Sequence, residues 1–235
     1  RFPDEGEIPA RAADSLRRAR AVICPSQFAA DEIKDLFGVD AQVIHNGLDP
    51  AVWGDVPAAA LDGLELPEQF VLHSGGATKR KNLGTLADAW HLVAAAHPTT
   101  SLVLCGPPDT RRTALFADLP RVRMLGKVDR PVHLALMSAA AVVVVPSTYE
   151  GFGFPALEAM ARGTAVVAAR AASLPEICGD AALLAEPTAD GLAEAVSTLL
   201  AQPDRRADLT ARGRARAKSF TWDRCAREHA DVYRR

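Results

Sequence analysis

One apolar run constrains the fold of this 235-residue chain more than any other stretch: Ala141-Val-Val-Val-Val145, bounded by Pro146 and Ser147. β-Branched residues favour extended backbone, and a continuous apolar run of this length is typical of a strand buried on both faces. Such strands occur in parallel sheets, because helices cover both faces of those sheets. The run therefore predicts an α/β fold.

Strand and helix patterns alternate along the rest of the chain. The strand candidates are residues 70–73, 101–105, 122–125, 141–145, 165–168 and 182–184. The helical patterns are residues 27–37, 83–96, 114–119, 132–139 and 155–162. This alternation predicts a Rossmann-like parallel sheet with helices on both faces, and such sheets bind ligands beyond the carboxyl ends of their strands.

Two carboxylates flank a glycine turn directly after the apolar run, in Glu150-Gly-Phe-Gly-Phe-Pro-Ala-Leu-Glu158. The two glycines allow a tight turn and close approach to a ligand, and Pro155 suits the first turn of a helix. Free amide groups at a helix start favour an anion such as a diphosphate, and carboxylates accept hydrogen bonds from sugar hydroxyls. The segment predicts a site for a phosphorylated sugar. The alternative is a solvated Glu150, with Glu158 capping or salt-bridging a surface helix.

Longer motifs follow one another in a fixed order along nearly the whole chain. They are Val71-Leu-His-Ser-Gly-Gly76, Arg80-Lys-Asn82, Leu102-Val-Leu-Cys-Gly-Pro107, Val122-Arg-Met-Leu-Gly126, Pro146-Ser-Thr-Tyr-Glu-Gly-Phe-Gly-Phe-Pro-Ala-Leu-Glu-Ala-Met-Ala-Arg-Gly-Thr164, Ala172-Ser-Leu-Pro-Glu-Ile177 and Gly179-Asp-Ala-Ala-Leu183. In this order they resemble the retaining nucleotide-sugar glycosyltransferases of family 4, which have the GT-B fold. The resemblance implies the C-terminal, donor-binding half of a two-domain enzyme.

The resemblance implies roles for the residues around the two carboxylates. Glu158 would bind the ribose hydroxyls of the donor, and Glu150 would contact the donor sugar near its reacting carbon. Backbone amides of the glycine turn would face the sugar and phosphates, and the base would lie against the Gly126-Lys-Val128 loop. The further donor-binding residues are Gly151, Phe152, Gly153, Phe154, Gly75, Gly76, Lys127 and Val128.

Three cations, Lys79, Arg80 and Lys81, follow the first strand of the predicted sheet. A diphosphate leaving group needs positive charge placed before the reaction, and a fixed cation can supply it without a metal. By resemblance Lys81 is the phosphate-binding lysine and acts with Arg80 and Glu150 in catalysis. The chain has no Asp-x-Asp motif, so neither a metal site nor a cofactor is predicted. The alternative is three exposed cations on a loop.

The implied reaction moves a mannosyl- or glucosyl-type hexosyl unit from a GDP- or UDP-linked donor to a hydroxyl acceptor, with retention. The acceptor would be a saccharide, a lipid-linked saccharide or a small molecule in glycan, glycolipid or glycoconjugate biosynthesis. One alternative is a non-catalytic nucleotide-sugar-binding module or the donor half of a split enzyme. Another is a GT-B saccharide synthase or phosphorylase.

Three segments are predicted: the end of a mostly missing acceptor domain (1–45), the donor-binding domain (46–217) and a C-terminal helix (218–235). By resemblance that helix crosses back to the acceptor domain, without which the isolated chain is expected to be inactive. Thr221 is the predicted N-cap of the helix and Trp222 a large apolar anchor. Exposure of Trp222 and Tyr233 would create a patch for self-association.

Composition and charge narrow the partners further. A net charge of −2 gives no footprint for nucleic acid. Basic residues of one C-terminal helical stretch predict a solvated helix face or, alternatively, contact with an anionic membrane: Arg205, Arg206, Arg212, Arg214, Arg216 and Lys218. We expect a cytoplasmic protein, or one peripheral at the inner face of the membrane, with its four cysteines reduced and partly buried. His73 is predicted to be a wall residue of the site.

Overall fold

The computed structural model of the protein describes residues 10–234, so residues 1–9 of the predicted 1–45 segment and Arg235 lie outside the described residues. Two strands, β1 (Ile23–Cys24) and β2 (Gln42–Val43), form a small parallel sheet. The central sheet has six parallel strands: β3 (Phe70–Ser74), β4 (Ser101–Cys105), β5 (Val122–Gly126), β6 (Val142–Val145), β7 (Val166–Ala169) and β8 (Leu183–Ala185). The predicted fold class is confirmed.

Ten α-helices occur in the part of the chain that the structure describes. They are α1 (Ala10–Arg18), α2 (Gln27–Phe37), α3 (Leu83–Ala96), α4 (Thr110–Phe116), α5 (Arg130–Ala139), α6 (Phe154–Arg162), α7 (Leu174–Cys178), α8 (Ala189–Ala201), α9 (Pro203–Ala217) and α10 (Trp222–Tyr233). The prediction 114–119 is wrong for α4, which begins four residues earlier because Asp109 caps it by accepting from the Arg112 amide at 3.0 Å. Helices α1, α7 and α8 were not predicted.

The order of the central strands, β5-β4-β3-β6-β7-β8, creates a switch point. From β3 the chain proceeds outward through β4 to β5, returns to β6 beside β3, and then proceeds outward on the other side to β8. Connections therefore leave β3 and β6 in opposite directions, which opens a crevice beyond their carboxyl ends. The loops 75–82 and 146–153 border that crevice, so the topology places both predicted motifs at the same edge.

The core has one apolar layer on each face of the sheet, because successive strand residues point to opposite faces. Val71 packs with α3 and α8 on one face, whereas Leu72 packs with α5 and α6 on the other. The run Val142–Val145 is buried along its whole length, as predicted for a strand covered on both sides. Both layers support the strand ends from which the site loops emerge.

Helix α10 packs on the N-terminal segment through a small third cluster of Ile44, Cys225 and Val232. Thr221 caps this helix as predicted, since its hydroxyl accepts from the Arg224 amide at 3.2 Å. Trp222 is 45% exposed and Tyr233 is 78% exposed, so the predicted exposure of both residues is confirmed and the prediction of Trp222 as an apolar anchor is wrong. As the first residue of α10, Trp222 lies outside the cluster that Cys225 and Val232 form one and three turns later. Self-association through this face stays a prediction.

Residues 47 and 48, which come before the central sheet, lie against the start of α10, which comes after it. The Leu48 amide donates to the Phe220 carbonyl at 3.0 Å, and Leu48 forms an isolated parallel bridge with Thr221. A side chain at Gly47 would lie 2.1 Å from the Trp222 nitrogen, so only glycine permits this approach. The segment before the central sheet is thereby fixed to the segment after it.

Two predicted properties of the whole chain can be compared with the described residues. All four cysteines are unpaired and buried, more completely than the predicted partial burial, because each lies in one of the apolar clusters or beside one. No helix within residues 10–234 is long and apolar enough to cross a membrane.

Candidate active site

Two loops meet at the switch point between β3 and β6. Residues Lys79–Lys81 form one 3-10 turn, which ends at Asn82 in a left-handed conformation with φ 54°. The Thr148 amide donates to the Arg80 carbonyl at 2.9 Å, and the Asn82 side-chain amide donates to the Pro146 carbonyl at 3.2 Å. These bonds join the cation loop to the loop that carries Glu150.

Glu150 lies between two of the predicted cations. Lys81 Nζ is 2.5 Å from Glu150 Oε1, and Arg80 Nη1 is 3.0 Å from Glu150 Oε2. Glu150 and Lys81 are each only 7% exposed, so the alternatives of a solvated Glu150 and an exposed Lys81 are wrong. The structure thus brings together the three residues predicted to be catalytic, and the cluster retains one net positive charge.

A buried arginine that the sequence analysis missed adds to this charge. Arg112 is 4% exposed, donates to the Gly75 carbonyl and to the Pro107 carbonyl, and has no carboxylate partner among the described residues. Gly106 makes this arrangement possible: its φ is 146°, and a Cβ there would lie 2.0 Å from the Gly75 oxygen. No sequence signal separates Arg112 from an exposed arginine, since it belongs to a short polar helix.

His73 lies beneath the glycine loop, at the end of β3. Its Nδ1 is 3.1 Å from the Val144 carbonyl and donates to it, whereas Nε2 is buried with no hydrogen-bond partner. Burial lowers the pKa of His73 to about 4, and the positive charges of Lys81 and Arg112 act in the same direction. His73 is therefore neutral near pH 7, with an unprotonated nitrogen on the side of Lys81 and Gly75.

Gly151 and Gly153, in the turn between Glu150 and α6, differ in why glycine is suitable there. Gly153 has φ 113°, a conformation that requires glycine, and a Cβ there would meet Leu174 at 3.0 Å. A Cβ at Gly151 would meet nothing within 4 Å, so there the missing side chain leaves open space. Within the described residues, the amides of Gly151, Phe152, Gly153 and Phe154 have no protein acceptor. The described part of the protein therefore leaves these four donors unpaired, and their predicted role in donor binding stays a prediction.

Glu158 lies one turn into α6, as predicted, and pairs with a residue of α5. Its Oε1 is 2.8 Å from Arg130 Nη2, and this hydrogen bond raises the pKa of Arg130. Asp49, from the segment before the sheet, is 3.9 Å from the same guanidinium. The sequence analysis missed Arg130, although a cation in the first turn of a helix opposes the helix dipole and so signals a specific partner.

A cavity of about 330 Å³ opens beside this pair, at the carboxyl ends of β3, β4 and β5. It brings together four predicted donor-binding residues, Gly75, Gly76, Lys127 and Val128. The unpredicted lining residues are Ser74, Cys105, Gly106, Pro107, Asp129, Arg130 and His133. The Ser74 hydroxyl lies 2.5 Å from His133 Nε2, and burial lowers the pKa of His133. The predicted base-binding loop therefore borders a preformed cavity.

No group of three or more His, Cys, Asp or Glu side chains is arranged to hold a metal ion in the described part of the chain.

Comparisons with known proteins agree with this geometry. The family described as "Glycosyl transferases group 1" matches residues 62–216, and "Glycosyltransferase Family 4" matches residues 7–52. The O-antigen chain mannosyltransferase B of Escherichia coli is 31% identical over 94% of this chain and 62% of its own length. An alpha-maltose-1-phosphate synthase of Mycolicibacterium smegmatis is 34% identical over 94% of this chain and 64% of its own.

A solved structure supports the same relationship. HepE from Anabaena, in complex with UDP and glucose, superposes with a TM-score of 0.81 and 25% identity, over 95% of this chain and 65% of its own. This chain thus spans less than two thirds of each of these three proteins.

Proposed function

The chain belongs to the group 1 glycosyl transferases, and we propose that it forms the donor-binding half of a retaining hexosyltransferase that uses a nucleotide diphosphate sugar. The observation that carries this proposal is the Glu150 cluster, in which two cations share one buried carboxylate beside four free amides. A net positive, partly desolvated site suits a diphosphate, whose charge it can neutralise without a metal.

Donor binding begins with an exchange of partners in this cluster. A diphosphate competes with Glu150 for Lys81 and Arg80, since both acceptors need the same N–H donors. The carboxylate that is released can then accept hydrogen bonds from hydroxyls of the hexose. The amides of the glycine turn supply further donors to the phosphates, at the start of α6 where the helix dipole favours negative charge.

The nucleoside occupies the neighbouring cavity in this proposal. Glu158 accepts hydrogen bonds from the ribose hydroxyls while Arg130 holds one of its oxygens, and the base lies against Lys127 and Val128. A volume of about 330 Å³ is at the lower end of the range for small-molecule sites, which suits one base with part of its ribose. The lining combines small residues with charged and aromatic ones such as Lys127, Arg130 and His133. Both UDP and GDP remain candidates for the nucleotide.

The chemical step breaks the bond between the anomeric carbon and the phosphate oxygen, which takes the electron pair. The acceptor hydroxyl forms the new bond on the same face and transfers its proton to the leaving phosphate. Lys81 and Arg80 stabilise the charge that develops on that phosphate. We propose that residues beyond this segment form the acceptor site, and that the chain alone binds donor but does not complete transfer.

A saccharide synthase with a phosphorylated acceptor is the second candidate, because one relative is named an alpha-maltose-1-phosphate synthase. The donor half would work in the same way, and the acceptor alone would differ. Assays of the complete enzyme with neutral and phosphorylated sugars distinguish the two candidates.

Calorimetric titration of this chain with UDP, GDP and their hexose conjugates tests donor binding. We expect Glu158→Gln to lower nucleotide affinity about tenfold, the effect of losing a hydrogen bond to a charged group, while leaving pyrophosphate affinity unchanged. Glu228→Gln is the matched control, because Glu228 pairs with Arg224 on the exposed face of α10. Equal nucleotide affinity in Glu158→Gln and the wild type would remove the ribose role.

A further inference from the structure

Three successive carbonyl groups of the glycine turn are held by two buried serines. The Ser173 hydroxyl lies 2.7 Å from the Glu150 carbonyl and 2.8 Å from the Phe152 carbonyl, and Ser26 donates to the Gly151 carbonyl at 2.8 Å. Both serines are fully buried. With their carbonyls held on the protein side, these peptide units keep their amides available for the ligand.

The two serines come from different parts of the chain. Ser173 precedes α7 of the sheet domain, but Ser26 is the N-cap of α2, within the residues 7–52 matched by the second family. The Ser26 hydroxyl has both functions at once, since its oxygen accepts from the Ala29 amide at 3.2 Å while its hydrogen goes to Gly151. The segment outside the central sheet therefore supplies one of the two groups that shape the glycine turn.

A carboxylate of the sheet domain fixes the position of Ser26. Glu176 of α7 accepts from the Gln27 amide at 2.9 and 3.0 Å and from the Phe28 amide at 3.3 Å, and it lies 2.7 Å from His45 Nε2. Amides at a helix start have no intrahelical partner, so a carboxylate placed there holds the helix firmly. The first turn of α2 is thus bound to α7 on one side and to the glycine turn on the other.

We propose that Ser26 is a positioning residue for donor binding, through which the seating of α2 on the sheet domain sets the shape of the glycine turn. The proposal rests on the proposed function, because the turn is taken to bind the donor phosphates and sugar. It goes further in making a residue of the N-terminal segment part of the donor-binding machinery. Displacement of α2 would release the Gly151 carbonyl and lower the affinity for donor, so the two segments are coupled.

Ser26→Ala tests this in the chain as it stands, with Ser26→Thr as the variant that keeps the hydroxyl. We expect Ser26→Ala to lower the affinity for UDP or GDP about fivefold to tenfold, and Ser26→Thr to restore most of it. Loss of the helix cap alone is controlled by Thr188→Ala, since Thr188 caps α8 by accepting from the Gly191 amide at 3.1 Å, away from the turn. Thr188→Ala should lower thermal stability comparably and leave nucleotide affinity unchanged.

A ligand-free measurement separates this proposal from the proposed function. In the ¹⁵N-labelled chain, the amide resonances of Gly151 and Gly153 should shift or broaden in Ser26→Ala and remain unchanged in Thr188→Ala. If the wild type binds nucleotide and Ser26→Ala binds it equally well, the proposal is overturned. If the wild type binds neither UDP nor GDP, the proposed function fails, and unchanged glycine resonances in Ser26→Ala would overturn the positioning role as well.

Discussion

Two basic segments, the loop Lys79–Lys81 and helix α9, lie in different environments. The loop Lys79–Lys81 directs two of its cations into the crevice, where Lys81 is 7% exposed and shares the Glu150 carboxylate with Arg80. The cause is the topology: β3 and β6 are neighbours, so the loops that follow them meet, although 65 residues separate Lys81 from Pro146. A short basic loop becomes a buried charge cluster only because of this meeting.

The basic helix α9 keeps Arg212 at the surface, whereas Arg216 is partly buried and donates to the Ile177 and Glu176 carbonyls of α7. Arg212 pairs with Asp208, one turn away, at 2.7 Å, and with Asp180 at 3.6 Å, with the Arg212 side chain half exposed. Arg206 donates to the Leu199 carbonyl at 2.9 Å. Arg212 agrees with the predicted solvated face, whereas Arg206 and Arg216 bind carbonyl groups of neighbouring helices. Contact with a membrane stays a prediction. The number of cations in a segment therefore does not predict whether they are buried. The position of the segment, at a strand end that meets another loop, does.

Glu150→Gln should produce the largest effect. The amide keeps the shape of the carboxylate and an acceptor for Lys81, but it cannot neutralise the two cations or bind hydroxyls as strongly. In an enzyme that includes the acceptor-binding half, we expect kcat to fall about 10²- to 10³-fold, the range for loss of one preorganised electrostatic group. Steady-state kinetics measure this, with Glu228→Gln as the control. Turnover within a few-fold of the wild type would contradict a role at the reacting carbon.

Alanine is a poor replacement for Glu150. Glu150→Ala would leave Lys81 buried beside an empty space, and removing one partner of a buried pair costs about 3–5 kcal/mol of stability. A loss of activity in that variant would therefore mix unfolding with catalysis.

The buried His73 should make the free energy of unfolding depend on pH, whereas the exposed arginine pairs of α9 should not. Its pKa is about 4 in the folded chain and 6.5 as the ordinary value, so below pH 6.5 the unfolded chain binds the proton more readily. This contribution is complete above pH 6.5 and is lost as the pH falls towards 4, amounting to about 3 kcal/mol. Urea denaturation from pH 7.5 to 4 measures it.

The control for this acid dependence is His73→Gln, which does not titrate. Its free energy of unfolding should fall less steeply between pH 6.5 and 4 than that of the wild type. The charged groups that face His73, namely Lys81, Arg112 and Glu150, are the same in both proteins. Parallel curves for the two proteins would show that the imidazole does not remain neutral.

Lys81→Met and Arg212→Met form a matched pair that compares the loop with the helix directly. We expect their effects to be smaller than those of the Glu150 and His73 substitutions. Lys81→Met should weaken binding of UDP or GDP by about 10- to 100-fold, since hydrogen bonds to charged groups contribute about 1.5–3 kcal/mol. Arg212→Met should change nucleotide affinity less than twofold and stability by about 0.5 kcal/mol, because exposed pairs contribute little. Calorimetry and urea denaturation measure both. Equal losses of affinity in the two variants would erase the distinction between the loop and the helix.

Much of the fold was predictable because the spacing of apolar residues along the sequence reflects which side chains are buried. The six central strands and α2, α3 and α6 agree with their patterns to within one or two residues, since a strand covered on both faces can hardly be built from other residues. Helix α7 is only five residues long, too short to show a helical period, and was missed for that reason. The predicted segments 1–45, 46–217 and 218–235 stay a prediction.

The site was predictable where loops carry glycine and charge, and not where it depends on chain segments that meet only in space. Glu150 and Lys81 were named from their motifs, and the structure places them 2.5 Å apart. Arg112 and Arg130 were missed, because burial without an acid partner and pairing across two helices leave no local pattern. Ser26 was missed because an N-cap serine looks the same whether or not its hydrogen reaches a distant carbonyl.

The double passage of the chain beside Gly47 has a mechanical meaning. Residues 49–219 form one continuous segment whose two ends lie side by side. The hydrogen bond from the Leu48 amide to the Phe220 carbonyl joins these ends. A single protease cut anywhere in that excursion leaves both ends tethered side by side. A residue larger than glycine at position 47 would force these two parts of the chain apart, because its Cβ would lie 2.1 Å from the Trp222 nitrogen.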